Sequence, residues 1–66
     1  MKITVNGENR TLSEPMHVQN LLRELGLSDR PCAVEVNRQL VPRGKHDAHA
    51  LAEGDAIEIV TLVGGG

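Results

Sequence analysis

The apolar positions of this chain change their period twice. Lys2-Ile3-Thr4-Val5 alternates polar and apolar, the period-two signature of a half-buried strand. Asn6-Gly7 follows, a strong short-range turn signal. Glu8 and Asn9 read as an extension of that turn, and Arg10-Thr11-Leu12 resumes the alternation, so a hairpin is expected with Leu12 beside Ile3 and Val5. After the connection Ser13-Glu14-Pro15-Met16, the period lengthens. Val18, Leu21, Leu22 and Leu25 recur three and four apart and share one face of a predicted helix over residues 18–25. Gly26 stands where a helix C′ residue belongs, with Leu27 able to fold back on the helix end, and His17 is the expected N-cap. Period two then returns. Cys32-Ala33-Val34-Glu35-Val36 predicts a strand with Val34 and Val36 inward, and Asn37-Arg38-Gln39 a turn. Leu40-Val41 predicts a short strand stopped by Pro42, which cannot donate to a ladder. Residues 43–50 are polar, with room for one helical turn, and Glu53-Gly54-Asp55 is a tight turn. Residues 56–63 form the last and most apolar strand, and Gly64-Gly65-Gly66 ends the chain.

The predicted order is strand, strand, helix, strand, short strand, strand. One helix must cover one face of a small sheet, an α+β arrangement. The first and last strands are richest in β-branched residues and are expected side by side at its centre. The inward set is Ile3, Val5, Leu12, Val18, Leu21, Leu22, Leu25, Leu27, Val34, Val36, Leu40, Leu51, Ile57 and Ile59, with Cys32 and Ala33 as small fillers. With no Phe, Tyr or Trp among the 66 residues, the core is wholly aliphatic. A chain this short supports one domain, with about 3–5 kcal/mol of core stability and little room for a deep pocket. That argues against a free-standing enzyme.

Charge narrows the partners. The formal net charge is −2 and the basic residues are scattered, which disfavours nucleic acid, whose binders cluster their basic residues. No apolar stretch approaches bilayer-spanning length. One cysteine, Cys32, allows no intrachain disulfide, and the start of the chain breaks too early for a signal peptide, so a cytoplasmic monomer is expected.

The chemistry-bearing feature is the glycine triplet. A terminal carboxylate is ionised at neutral pH and is a poor electrophile until activated. Nothing in the chain offers that activation: Arg43-Gly44-Lys45-His46 lacks the upstream glycine and the following Ser or Thr of a phosphate-binding loop. A partner must therefore supply it. Three extended glycines reach roughly 10 Å at about 3.3–3.6 Å each and, without Cβ atoms, can thread a narrow channel. On the last strand, Val60 and Leu62 alternate away from Ile57 and Ile59. No second helix is left to cover them, so they are the expected partner-docking residues.

Taken in order and spacing, several elements resemble the ubiquitin-like β-grasp sulfur carriers, and within them the bacterial carriers of thiamine biosynthesis. They are Ile3-Thr4-Val5-Asn6-Gly7, the helix with Gly26-Leu27, Val34-Glu35-Val36-Asn37 before Val41-Pro42-Arg43, and the run from Glu53 to Val60 ahead of the glycines. The resemblance covers the whole chain and implies a mixed sheet of four to five strands packed on one main helix. It implies a β-grasp domain over residues 1–63 and a flexible tail over residues 64–66. It also implies that an E1-like adenylyltransferase, using its own ATP and Mg, converts the Gly66 carboxylate to an acyl-adenylate. Sulfur-relay proteins then yield a C-terminal thiocarboxylate, with Gly64 and Gly65 as the tail, and thiazole synthase receives the sulfur. The carrier itself is expected to bind no cofactor. One departure is visible: the family often has an aromatic residue shortly after the Pro-Arg pair, where His46 stands here.

Other groups have simpler readings. Cys32 reads as a small buried hydrophobe rather than a redox partner. His46 and His49, with Asp47 between, are too few ligands for a convincing metal site and read as a solvated polar loop. Asn9-Arg10-Thr11 matches a glycosylation sequon that a cytoplasmic chain never presents. Glu35, Glu53, Asp55 and Glu58 read as solvated charges able to steer a basic partner. The same tail would also suit a molybdopterin-synthase or tRNA-thiolation carrier or a protein modifier, and the fold alone would suit a ubiquitin-like binding module.

Overall fold

The computed structural model describes residues 1–62. Its elements are β1 (Lys2–Val5), β2 (Glu8–Thr11), α1 (Val18–Glu24), β3 (Cys32–Val36), β4 (Gln39–Val41), a 3₁₀ turn (Arg43–Lys45) and β5 (Ala56–Thr61). They form one five-stranded sheet in the order β2-β1-β5-β3-β4. Strands β1 and β5 are parallel, and the other neighbours are antiparallel. The expected mixed sheet with β1 beside β5 is therefore present, with β5 central.

Helix α1 is seven residues long and buries Val18, Leu21 and Leu22 against the sheet. So short a helix is marginal by itself, and its two ends show what holds it. At the C-terminus Gly26 has φ +76°. Its N–H bonds to the Arg23 carbonyl (3.0 Å) and the Leu27 N–H to the Leu22 carbonyl (2.8 Å), a Schellman stop. At the N-terminus the Asn20 side-chain oxygen accepts the His17 backbone N–H at 3.0 Å. The N–H groups of Val18 and Gln19, which no helix can satisfy internally, donate to the carbonyls of His49 (3.0 Å) and His46 (2.8 Å). The polar segment after Pro42 is thus a backbone cap for α1. It contains the one helical turn expected there, the 3₁₀ turn.

The buried core is Ile3, Leu12, Val18, Leu21, Leu22, Val34, Val36, Val41, Leu51, Ile57 and Ile59. Val5, Leu25, Leu27 and Cys32 are half-buried and pack against its margin rather than inside it.

Several expectations are corrected. The first hairpin loop is two residues, not four: Asn6 (φ +51°) and Gly7 (φ +83°) turn the chain, and Val5 pairs directly with Glu8. Positive φ at both positions is the primed turn whose twist matches paired strands. The second hairpin has the same form, with Asn37 at +52° and Arg38 at +69°, and Val36 paired with Gln39. Gln39 therefore belongs to β4 rather than to the turn. This reverses the faces of the next two residues, because a one-residue slip exchanges the sides of a strand. Val41 is buried and Leu40, expected inside, is 65% exposed.

The alternation that buries Val34 and Val36 likewise puts Ala33 on the outer face, paired with Val60, and not in the core. His46 and Asp55, expected in solvent, are both buried. Strand β5 ends at Thr61, and Leu62 follows it. The expected end of that strand at Val63, the boundary between residues 63 and 64, and the tail Gly64-Gly65-Gly66 lie outside the described residues.

Candidate functional site: the open sheet face at the base of the tail

The helix covers one side of the sheet, so alternate residues of the inner strands face outward. On β5 these are Ala56, Glu58 and Val60, with Leu62 continuing the alternation. On β3 they are Ala33, opposite Val60, and Glu35, opposite Glu58. On β4, Leu40 stands opposite Glu35. Val60 is 59% exposed and Leu62 52%, as the spacing of β5 predicts. Leu40 and Ala33 join them, two members that sequence reasoning assigned to the core. Reading Asn37-Arg38 as a two-residue primed turn would have found Leu40.

The outer face therefore carries exposed Val60 and Leu62 with Ala33 beside Val60, while exposed Leu40 lies in the same cross-strand row as Glu35 and Glu58. Glu35 and Glu58 sit directly across the strands from each other, an arrangement that disfavours the isolated sheet. Large exposed apolar residues gathered on one face usually meet a partner.

Two asparagines hold strand β5, which carries much of this face. The Asn37 side chain donates to Asp55 Oδ1 (2.9 Å) and accepts the Ala56 N–H (3.0 Å), gripping the start of the strand. Asp55 is held in turn by the Ala52 N–H on its Oδ2 at 2.8 Å. Burial of this carboxylate is offset by those donors, which is why an acidic residue in a turn need not be solvated. Near the other end, Asn6 Oδ1 accepts the Ile59 N–H (2.7 Å) and Nδ2 donates to the Ile59 carbonyl (3.1 Å). Beyond it the Leu62 N–H donates to the Pro31 carbonyl at 2.9 Å, so β3 and its approach guide the chain up to residue 62.

The remaining candidates do not assemble into a second centre. The ring of His46 points inward and its Nε2 donates to the Val41 carbonyl at 3.0 Å. It fills, in a chain without aromatics, a position in the cap of α1. No group of three or more His, Cys, Asp or Glu among the described residues could hold a metal ion. Cys32 is half-buried, with its thiol 3.5 Å from the Arg30 carbonyl. An open groove of about 520 Å³ runs between the first hairpin and the end of α1, lined by Val5, Asn6, Arg10, Leu25, Leu27 and Ile59 among others. Glu8 and Thr61 also line it, but no hydrogen bond joins the Thr61 hydroxyl to a base among the described residues, the arrangement covalent catalysis requires. No helix among the described residues is long and apolar enough to cross a membrane.

Comparison with known proteins agrees with this geometry. The sequence matches the ThiS family over residues 3–66. It is 46% identical to a thiazole synthase of Paramagnetospirillum magneticum, over all of this chain and 20% of that protein. The chain thus spans about a fifth of the length of that relative. It is 29% identical to the sulfur carrier protein ThiS of Escherichia coli, over the full length of both. The crystal structure of a thiamine biosynthesis protein (ThiS) from Geobacter metallireducens superposes with a TM-score of 0.84 at 35% identity, covering both chains completely. That match carries the β-grasp architecture with it, and the family pattern spans nearly every residue: the chain belongs to the ThiS family.

Proposed function

We propose that this chain carries sulfur for thiazole formation in thiamine biosynthesis as a thiocarboxylate on Gly66. A separate E1-like adenylyltransferase activates it: a Gly66 carboxylate oxygen attacks the α-phosphorus of Mg-bound ATP, and pyrophosphate leaves. A sulfur nucleophile from a relay protein then attacks the acyl carbon and displaces AMP. That sulfur arrives as the outer atom of a relay-protein persulfide, so a thiol then attacks the inner sulfur of the resulting acyl disulfide, forming a new disulfide and releasing the thiocarboxylate, and thiazole synthase takes the sulfur from it. The observation that carries this reading is the exposure of Val60 and Leu62, apolar residues at the end of the strand that precedes Gly64-Gly65-Gly66 in the sequence, with Leu40 exposed on the same sheet face. The domain docks by that face while the glycines reach into an active site the domain lacks. Both the adenylyltransferase and thiazole synthase use the same surface. The relative named thiazole synthase, which includes a segment matching the whole chain, favours thiazole as the destination.

The test is intact mass after incubation with the cognate adenylyltransferase, ATP, Mg and a sulfur source. The expected product is heavier by one oxygen-to-sulfur exchange, located on the C-terminal peptide. An unchanged mass with active partner enzymes would refute the reading.

A further inference from the structure

Glu35, Glu53, Asp55 and Glu58 read alike in the sequence, and the fold separates them. Asp55 is buried and accepts the Asn37 amide at 2.9 Å and the Ala52 N–H at 2.8 Å. Glu53 accepts the Lys2 backbone N–H at 3.0 Å. Glu35 and Glu58 are left exposed and directly opposite each other in the antiparallel pair of β3 and β5. Like charges so placed repel, a cost the free domain bears with water around both.

No cation shares their row. It runs from Leu40 on β4 through Glu35 to Glu58, and β1 has ended before it, because its last rung pairs Val5 with Ile57. Among the residues that the five strands turn away from the helix, Lys2 alone is basic. Its carbonyl accepts the Gly54 N–H at 2.7 Å, level with a residue four before Glu58 and so roughly 13 Å along the strand. Exposed Val60, by contrast, stands two residues beyond Glu58, about 6–7 Å away, with Leu62 two beyond that. A partner that covers Val60 and Leu62 closely also strips water from the neighbouring glutamates. Desolvating two like charges with nothing between them opposes the apolar contact.

Resting on the reading that the domain docks by this face, we propose that the adenylyltransferase seats one basic side chain between Glu35 and Glu58, bridging the two carboxylates. The fork of an arginine suits the task, since its five N–H donors can bond both carboxylates at once. Its stem lies along Leu40, which the register sets beside Glu35 and leaves 65% exposed. The surface therefore fits a partner that presents an apolar contact and a cation about 6–7 Å apart. Apolar contact is non-directional, and the cation fixes how the domain sits on its partner.

The experiment measures association and dissociation rates of Glu35→Gln and Glu58→Gln with the cognate adenylyltransferase, and the melting temperatures of the free proteins. Glu24→Gln is the control. It changes the net charge equally at an exposed carboxylate on α1, across the sheet from the outer face. Each face variant should bind about tenfold more weakly or worse, with the loss in koff and kon within about threefold. Each should melt at or above the wild-type temperature, because removing one charge relieves the repulsion. Glu24→Gln should bind as wild type. Wild-type affinity in either face variant, an equal loss in Glu24→Gln, or a loss confined to kon overturns the bridging contact and leaves the carrier reading standing. A wild-type protein that the enzyme neither binds nor adenylates overturns the carrier reading and this inference with it.

Discussion

Leu40 and Val41 are neighbours in sequence and opposites in the fold. Truncating each to alanine tests the register of the second hairpin. Val41 is 5% exposed and belongs to the core. Removing its two methyl groups loses about 1.6 kcal/mol of transfer free energy at about 0.8 kcal/mol per buried group, and the residual cavity raises this to about 2–3 kcal/mol. That is about half of the ~3–5 kcal/mol available to a domain of this size. At about 4–8 °C per kcal/mol, the melting temperature should fall by about 10–20 °C. Leu40, at 65% exposed, has little to lose. Leu40→Ala should stay within about 0.5 kcal/mol of wild type and move the melting temperature by less than about 4 °C. Urea unfolding followed by far-UV circular dichroism measures both, and an unchanged slope with denaturant shows that stability alone has shifted. If Leu40→Ala is the destabilised variant and Val41→Ala the silent one, β4 is paired one residue out of register. The outer face described here would then lose a member.

His46→Ala should cost about 2–4 kcal/mol in the same assay, because it empties a buried site and leaves the Val41 carbonyl without its donor; a surface-like value below about 0.5 kcal/mol would contradict the buried position. Val60→Asp and Leu62→Asp, at exposed positions, should fold normally yet weaken binding to the adenylyltransferase by about tenfold or more, and unchanged affinity by calorimetry would remove the outer face from docking. Deleting Gly66 removes none of the buried core residues, so the melting temperature should hold, while adenylation should vanish because the carboxylate stops about 3.3–3.6 Å short; full turnover would remove the position of that carboxylate from the mechanism.

Local pattern alone determined most of the architecture. The two periods located α1 and the strands. Gly26 marked the helix stop, because its role needs only a residue free to take positive φ. The exposure of Val60 followed from simple alternation with Ile57 and Ile59. What the apolar periods could not determine was anything depending on which residues pair. Leu40 and Val41 are equally apolar, and only the pairing of Val36 with Gln39 decides which enters the core. Asp55 and His46 look like solvent residues until Asn37, Ala52 and Val41 are brought to their polar atoms. The polar segment after Pro42 has no period of its own, because its structure answers the unpaired N–H groups of α1, more than twenty residues earlier. Asn6 reads as a turn residue, and its second task exists only because the parallel pairing of β1 with β5 brings Ile59 within reach of its amide. Periodicity and turn chemistry are properties of neighbouring residues and can be read along the chain. The parallel pairing of β1 with β5 and the polar satisfaction it brings belong to residues that meet only once the sheet has closed.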